Sequence, residues 1–543
     1  MVVGYGNGNA FRSQILSSGA IVKNKFYYRF SGSYKKSDGV ITNETLNEEV
    51  NFLRDLTVRG QLTYHLSNRF SANLSYQLMD VEGGATYYSH SNSGMQLDAD
   101  DFDNNIIDAD QRGESSLKNS FGYLKLEYAF NKMALKSVTS YNDADRNHRG
   151  DLDFGPLDIL RQFQDSNSET FNQEVRLNST NGDSKLSWDL GVFYQNSDKL
   201  LLTDATADLG FFADPPAPTG SQSLFSRLSD FTNNFETVAL FGFADYKLTD
   251  RFTMSFGLRY DNDQITQENR LNNTTTEKSQ AELQPKLSLA CQATDNLLIF
   301  ANYGRGYRSG GFNAAATELF DSEYEGETSD NYEIGLKTSS MNDRLIFNLT
   351  GFYVNYNNQQ QYIVGPNSEG ALLIGNFNFE ETTVTGIEAD VKFRTFKYLD
   401  IIGGYGLSRS TIDKSSTNSS IDRSGFEGNK TPFIPQTTFN VALQSNFDIS
   451  DNIDFNGFVN MTNKGKIYWH EDNNDVAEAY SLLNARLGII FSKKYGLSIW
   501  SDNLTDVEYF QEYSAGEVSG SAAGDLGWIG QPRTFGLDLS IKF

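Results

Sequence analysis

Few residues in this sequence are of the types that carry out chemistry. Cys291 is the only cysteine, and the four histidines are scattered along the chain without the spacing of metal ligands. One cysteine cannot form an internal disulfide or a zinc site built on several cysteines. Serine and aspartate are too common, and histidine too rare, to identify a Ser-His-Asp set. The sequence therefore predicts a protein that is not an enzyme and that carries no cofactor.

An aspartate-rich segment, residues 98–110, could bind a cation. Calcium prefers carboxylate oxygens as ligands, so its calcium candidates are Asp98, Asp100, Asp108 and Asp110. The segment lacks the glycine and the terminal glutamate of an EF-hand loop. A solvated acidic loop that binds no ion is the alternative interpretation.

An aromatic and proline-rich segment, residues 209–218, could contact an apolar or aromatic ligand. Phe211 and Phe212 are its candidate substrate-binding residues. The same two rings could instead pack against a neighbouring loop, and the sequence does not distinguish these two roles.

The elements that would position these residues are strands with one apolar and one polar face. Leu56, Val58 and Leu62 alternate with polar residues such as Arg59 and Gln61. Successive side chains of a strand point to opposite faces, so this alternation predicts a sheet with one apolar face. The same pattern recurs along the chain, for example at residues 70–78, 252–261 and 535–543.

Short polar turns and long polar connections separate these strands in strict alternation. Ten short turns are predicted near residues 19–24, 66–69, 130–132, 180–184, 248–251, 293–296, 339–342, 395–398, 449–452 and 492–495. Long, often acidic connections fall between them, for example roughly 80–117, 143–168, 200–234 and 505–530. Eleven two-strand units fit the chain, which gives about 22 strands of roughly 9–15 residues.

Composition agrees with one large all-β unit. The 543 residues include only 9 prolines but 46 glycines, 40 phenylalanines and 28 tyrosines, and no linker divides them. Proline cannot donate to a strand ladder, so its scarcity favours long strands. The net charge of -25 argues against nucleic acid as a partner. A spanning barrel exposes only alternate side chains to lipid, so it stays polar on average.

The fold class predicted is therefore all-β, a transmembrane antiparallel up-and-down β-barrel with short periplasmic turns and long extracellular loops. Soluble propellers, β-helices and sandwiches use shorter strands and show no such difference in connection length between their two sides. The alternation also runs to a terminal aromatic, Phe543, which is expected at the membrane edge. Barrels of 22 strands have a lumen wide enough to need a plug.

Six segments carry a resemblance to a known family. They are residues 303–313 (YGRGYRSGGFN), 327–337 (ETSDNYEIGLK), 351–361 (GFYVNYNNQQQ), 385–390 (TGIEAD), 503–510 (NLTDVEYF) and 532–543 (PRTFGLDLSIKF). In this order and spacing they resemble the barrel of TonB-dependent receptors, and the resemblance covers essentially the whole chain. The expected domain is thus a receptor barrel spanning 1–543, without the plug domain, the TonB box and the signal peptide.

The resemblance implies active import of a scarce nutrient in the outer membrane of a Gram-negative bacterium. The usual cargo is a ferric siderophore, with cobalamin, haem or a saccharide in some members. Expected partners are outer-membrane lipid, the receptor's own plug, TonB with ExbB and ExbD acting through that plug, and the barrel-assembly machinery, whose signal Phe543 resembles. Haem receptors of the family carry a Phe-Arg-Ala-Pro motif, but residues 307–313 read Tyr-Arg-Ser-Gly-Gly-Phe-Asn here, which disfavours haem.

Arg308 and Asn302 are the candidate substrate-binding residues within the barrel. Together with Gly304 and Gly306 they occupy every second position of one strand, so all four lie on its predicted lumen face, near the extracellular rim. A cation at this rim could bind an anionic siderophore complex or a carboxylate of a plug. Two alternative functions remain, a passive porin-like channel and a surface adhesin or structural barrel.

Overall fold

A single closed sheet of 22 antiparallel strands forms the molecule. The structure, a computed structural model, describes residues 1–90, 107–180, 182, 184–208, 223–314, 316–317, 320–366, 372–415, 423–514 and 525–543. The first strand pairs with the second and also with the last, where Val2 lies opposite Ser540. Because the last strand completes the circle, the sheet has no free edge, and the predicted 22-stranded barrel is confirmed.

The barrel strands are numbered β1 to β22 in chain order. The first eleven are β1 Val2–Gly6, β2 Ala10–Val22, β3 Phe26–Ser37, β4 Leu53–Ser67, β5 Phe70–Gly84, β6 Glu114–Ala129, β7 Met133–Asp151, β8 Leu160–Ser179, β9 Leu186–Asp208, β10 Ser223–Lys247 and β11 Phe252–Asn269. The others are β12 Thr274–Thr294, β13 Leu297–Arg308, β14 Glu327–Ser340, β15 Leu345–Pro366, β16 Leu372–Phe396, β17 Leu399–Lys414, β18 Thr437–Ser450, β19 Ile453–Lys464, β20 Tyr480–Phe491, β21 Tyr495–Asp502 and β22 Thr534–Ile541.

One end of the barrel carries only short turns. Each of the ten predicted turns overlaps a connection of two to six residues there, so all ten are confirmed. At the β20–β21 turn Ser492 and Lys493 have φ of 49° and 56°. Two consecutive residues with positive φ are what a tight hairpin turn requires to match the twist of its strands. This end is called the short-turn end, and the opposite end the long-loop end.

The two faces of each strand differ as the sequence predicts. On β11 the exposed Phe252, Phe256 and Tyr260 lie on one face, and Asp261 and Asp263 are buried on the other. The same outward apolar face continues on neighbouring strands through register pairs such as Met254 with Leu289. The outside is therefore an apolar belt, and the interior is polar. No helix in the described part of the chain is long and apolar enough to cross a membrane.

Strand length is where the sequence-based prediction is wrong. Strands of 9–15 residues were expected, but β10 and β16 each have 25 residues, and β1 has five. Residues 143–151 and 161–168, predicted as loop, continue the β7–β8 ladder as far as Asp151 opposite Arg161. Beyond the apolar belt the outward face is no longer apolar, so alternation ends while backbone hydrogen bonds still favour the ladder.

Connections at the long-loop end are consequently unequal in length. They range from three residues between β1 and β2 to 31 residues between β21 and β22. Their short elements are a 3-10 turn, Ser424–Phe426, and paired short strands at Thr42–Asn43 with Glu48–Glu49, Gly311–Phe312 with Glu323–Tyr324, and Ile467–Tyr468 with Val476–Ala477. Leu526–Ile529 pairs with both Ser89–His90 and Phe510–Ser514, which joins two distant connections in one three-stranded sheet.

The chain terminus departs from the prediction in its last two residues. Strand β22 ends at Ile541, and the Phe543 side chain that follows it is 97% exposed. Phe535, Leu537 and Leu539 do face outward as the alternation predicts. The ladder stops here because β21 pairs only as far as Tyr495 opposite Ile541.

Candidate functional site

The wall formed by β13 and β14 holds the two barrel residues singled out from the sequence. Ala301 lies opposite Ile334, which faces outward, so Ala301 faces outward as well. Asn302 and Arg308 lie one and seven residues further along the same strand, and they therefore face the interior. Asn302 Nδ2 donates to Glu333 Oε2 at 3.0 Å. Arg308 is exposed, and its guanidinium makes no hydrogen bond or ion pair with any residue that the structure describes. Both side chains thus lie on the interior face, and of the two only Arg308 carries a charge without a described partner; their role as substrate contacts stays a prediction.

Arg305, also on β13, forms ion pairs with carboxylates of both neighbouring strands. Its guanidinium contacts Asp330 with Nε at 3.0 Å and Nη2 at 2.8 Å, and it reaches Glu282 on β12 at 3.4 Å. The ladder between β12 and β13 stops at Lys286 opposite Gly304, next to Pro285, which has no N–H to donate. Arg305 thus links strands that are no longer joined by backbone hydrogen bonds.

Aromatic side chains from separate connections meet at the long-loop end. The Trp528 ring lies 4.4 Å from Tyr87 and 4.9 Å from Tyr88, measured between centroids. Tyr88 in turn contacts Phe154 edge-on at 5.1 Å. The Trp528 segment belongs to the sheet of residues 89–90, 510–514 and 526–529, so backbone hydrogen bonds hold these rings in place.

A second aromatic group continues this surface. Tyr362, at the upper end of β15, stacks on Phe433 at 5.5 Å with an interplanar angle of 18°. Phe433 also contacts Trp469 edge-on at 5.8 Å, and its φ is +65°. A bulky residue rarely adopts this backbone conformation unless its surroundings hold it there. Its N–H is tied to the Tyr468 carbonyl at 2.9 Å, so the loop presents this ring in one fixed position.

Glu512 lies between the two aromatic groups. The Tyr362 hydroxyl donates to Glu512 Oε1 at 3.3 Å. Burial and the Glu512 carboxylate raise the pKa of Tyr362 to about 12. Burial also raises the pKa of Tyr88 well above its usual range, and Glu512 adds to this effect. The five residues Tyr88, Trp528, Tyr362, Phe433 and Glu512 are called the aromatic roof.

Apolar clusters pack against Phe433 and Trp528 of the aromatic roof. One contains Ile467, Trp469, Phe510 and Tyr513, and another contains Ile41, Val50, Tyr87 and Ile107. Ile529 packs against both. Burial of these side chains provides the hydrophobic stabilisation for connections that join non-adjacent strands. The aromatic roof is thus a packed layer, and Tyr362, 45% exposed, is its accessible ring.

The other predicted site residues are only partly placed. Asp98, Asp100, Phe211 and Phe212 lie outside the described residues. Asp108 contacts His90 Nε2 at 2.6 Å. Asp110 lies instead beside Asp151, a residue that the sequence analysis did not select. Within the described ranges no group of three or more His, Cys, Asp or Glu side chains is arranged to hold a metal ion.

Sequence reasoning missed the aromatic roof altogether. Its members come from connections far apart in the sequence, so no spacing relates them. One local signal was available, the segment Pro432-Phe433-Ile434-Pro435, because two prolines fix the backbone on both sides of an aromatic residue.

Comparisons with known proteins agree with this architecture. Residues 18–504 match the family model described as TonB dependent receptor-like, beta-barrel. A pesticin receptor from Yersinia pestis is 25% identical over 316 residues, which cover 57% of this chain and 44% of that receptor. A pesticin receptor from Yersinia enterocolitica matches to the same extent. The chain thus covers less than half the length of these curated relatives.

Solved structures show the same fold. The ferric yersiniabactin uptake receptor from Yersinia pestis superposes with a TM-score of 0.83 at 16% identity, covering 100% of this chain and 79% of that one. A siderophore receptor from Acinetobacter baumannii gives a TM-score of 0.80 at 16% identity, covering 100% and 81%. With the family model matching most of the chain and the barrel closed at 22 strands, the chain belongs to the TonB-dependent receptor β-barrel family.

Proposed function

We propose that this chain is the barrel of an active transporter in the outer membrane of a Gram-negative bacterium, and that its cargo is a ferric siderophore. The long-loop end faces the outside of the cell, and the short-turn end faces the periplasm. Outer-membrane lipid surrounds the apolar belt, and the barrel-assembly machinery inserts the barrel. A plug inside the polar interior couples import to TonB with ExbB and ExbD.

The observation that carries this proposal is the aromatic roof above a wide polar interior. Rigid rings offer a large contact area to an organic ligand at a low cost in conformational entropy. Many iron chelators present aromatic or heteroaromatic groups around the metal, and two structural neighbours are siderophore receptors by name. Arg308, on the interior wall below, provides a free cation for an anionic complex or for a plug carboxylate.

Ligand binding tests the aromatic roof directly. Ferric yersiniabactin and ferric citrate serve as probes, with affinity measured by quenching of tryptophan fluorescence in detergent. An aromatic contact contributes about 0.5–1.5 kcal/mol, so Tyr362→Ala should weaken binding of the accepted probe about 2–12-fold. Tyr362→Phe keeps the stacked ring and should bind almost as the unchanged protein does.

The control is Tyr398→Ala, which removes an exposed ring at the short-turn end. Its affinity should not change. Equal losses in Tyr362→Ala and Tyr398→Ala would contradict the assignment of the ligand site. Failure of the whole probe panel to bind would remove ferric siderophores as the cargo class.

Energy coupling separates the transporter from the other two functions. Cells that produce the protein should accumulate the iron complex only when TonB is present. Uptake that persists without TonB would indicate a passive channel, and surface attachment without uptake would indicate an adhesin.

A further inference from the structure

Positive charge is concentrated at the short-turn end of the barrel. The ten connections of this end contain ten of the chain's 45 lysine and arginine residues but only five of its 70 aspartate and glutamate residues. These connections therefore carry a net charge of +5, and the rest of the chain, with 35 basic and 65 acidic residues, carries −30. The protein is thus polarised along the barrel axis, with positive charge at the short-turn end.

The positive charge lies on one side of this end. Four of the ten connections belong to ten consecutive strands of the barrel, from β20 through β22 and β1 to β7. These four connections contain no carboxylate and six basic residues, which are Lys23, Lys25, Arg69, Lys132, Lys493 and Lys494. The other six connections contain four basic residues and five aspartates. The six cations of the first group are called the basic sector.

The charges of the basic sector are not neutralised by the barrel itself. All six residues are exposed, and none of them forms an ion pair with a residue that the structure describes. Cations at the long-loop end do form ion pairs, for example Arg54 with Glu82 at 2.7 Å and Lys466 with Glu478 at 3.2 Å. Because like charges repel one another, six unpaired cations on neighbouring turns favour an anionic partner.

The position of the basic sector indicates the chemistry of this partner. Exposed apolar residues adjoin it in the chain, Val22 before Lys23 and Tyr495 after Lys494. The Lys494 Nζ atom lies 5.5 Å from the centre of the Tyr495 ring. Tyrosine is enriched at the level where acyl chains meet headgroups, so the basic sector lies at the edge of the apolar belt. A phospholipid contacts the belt and the cations together, whereas a soluble polyanion contacts the cations alone.

We propose that the basic sector binds the headgroups of anionic phospholipids and enriches these lipids around its part of the barrel. The stem of a lysine side chain lies along apolar surface while its ammonium group reaches a lipid phosphate. Near an anionic lipid surface one lysine or arginine gives about a fivefold preference. Only the choice of leaflet rests on the proposed function: because the short-turn end faces the periplasm, the lipids belong to the inner leaflet of the outer membrane.

Electron paramagnetic resonance of spin-labelled lipids tests the proposal in phosphatidylcholine vesicles that contain the chain. A trace of spin-labelled phosphatidylglycerol or phosphatidylcholine is added, and the fraction immobilised at the protein surface is measured. The basic sector borders about half of the belt in one of the two leaflets, so a fivefold preference there should give about a twofold preference for phosphatidylglycerol overall. In about 1 M salt the Debye length falls to about 3 Å, and the preference should disappear.

Two variants with the same change in net charge locate the interaction. The test variant neutralises four lysines of the basic sector and should lose most of the preference; it combines Lys23→Gln, Lys25→Gln, Lys132→Gln and Lys494→Gln. The matched control neutralises four exposed lysines at the long-loop end and should keep the preference; it combines Lys36→Gln, Lys118→Gln, Lys414→Gln and Lys464→Gln. If the test variant does not insert into vesicles, Lys23→Gln with Lys25→Gln takes its place and should lose about a third of the preference.

Equal immobilisation of the two lipids by the unchanged protein overturns the proposal, and so does the same preference in the test variant and the control. Retention of the chain on heparin, a soluble polyanion, would in that case assign the basic sector to a soluble partner. The label is present in both leaflets, so the result depends neither on the orientation of the barrel nor on its cargo. Failure of iron uptake would therefore overturn the proposed function and leave the lipid preference standing.

Discussion

Asp538 stabilises the seam of the barrel, the place where the last strand β22 pairs with the first strand β1. Its replacement gives the most informative test of how the barrel closes. Asp538 lies on β22 with its side chain 2% exposed, and it bonds Arg12 on β2 and Arg486 on β20. Gly4, on the intervening β1, leaves room for this contact, because a Cβ there would collide with Asp538. One carboxylate therefore joins strands from both ends of the chain. Asp538→Asn keeps the volume but leaves two guanidinium groups without their counter-charge.

The expected loss follows from the burial of the three partners. Breaking a fully buried pair costs about 3–5 kcal/mol, and an exposed pair contributes about 0–1 kcal/mol. The Asp538 side chain is 2% exposed, but those of Arg12 and Arg486 are 31% and 43% exposed, so water compensates part of the loss. We expect Asp538→Asn to lower the free energy of unfolding by about 2 kcal/mol, which is about a 30-fold change in the folded-to-unfolded ratio.

Urea titration of the barrel in lipid vesicles, followed by tryptophan fluorescence and by gel mobility without heating, measures this loss. Asp451→Asn, an exposed turn residue between β18 and β19, is the control and should unfold like the unchanged protein. Adding Arg12→Gln to Asp538→Asn removes one of the unpaired charges and should recover part of the stability. A single variant within about 0.5 kcal/mol of the unchanged protein would falsify the reasoning, as would a double variant with a fully additive loss.

Three further outcomes follow from individual contacts. Gly335→Ala should lower the free energy of unfolding in urea by about 1–3 kcal/mol, because its Cβ would lie 2.5 Å from the Phe300 ring. Gly60→Ala is the control, since the space around Gly60 is open, and equal urea midpoints for the two variants would contradict this expectation. Trp528 fluorescence should report loosening of the aromatic roof as pH rises from about 4 to about 8, because burial raises the pKa of Asp151 to about 8 and folding therefore favours its protonated form. Asp151 accepts the N–H of Phe154, whose ring contacts Tyr88 and through it Trp528, so a signal independent of pH would refute this expectation. Arg308→Ala, tested in a form of the protein that includes the proposed plug, should weaken ligand binding and leave the urea midpoint unchanged, and unchanged affinity would remove Arg308 as a contact.

The sequence predicts the barrel well because the barrel repeats two local rules. Alternation assigns an outward face, as at Phe252 and Phe256, and polar turn residues end each strand at one side. Both rules depend on neighbours a few residues apart, and all ten turns were placed by them. Strand ends above the apolar belt were missed because alternation stops there while pairing continues, as between Asp145 and Asn167.

The candidate site is predicted less well because its contacts are not local. Tyr362 and Glu512 are separated by 150 positions in the chain, and no periodicity connects them. Only the acidic composition of residues 98–110 points to Asp110 in the sequence. Its structural partner is Asp151, in a short Asp-Leu-Asp-Phe-Gly segment that a search for dense carboxylates overlooks.

The barrel wall and the aromatic roof should respond to different perturbations. Ion pairs such as Arg12 with Asp538 stabilise the closure of the sheet, whereas the roof is held by apolar clusters and short strands. A variant of the roof support should therefore change ligand affinity without changing the urea midpoint of the barrel, and a variant of the seam should do the reverse. A roof variant that lowers both together would show that the roof and the wall unfold as one cooperative unit.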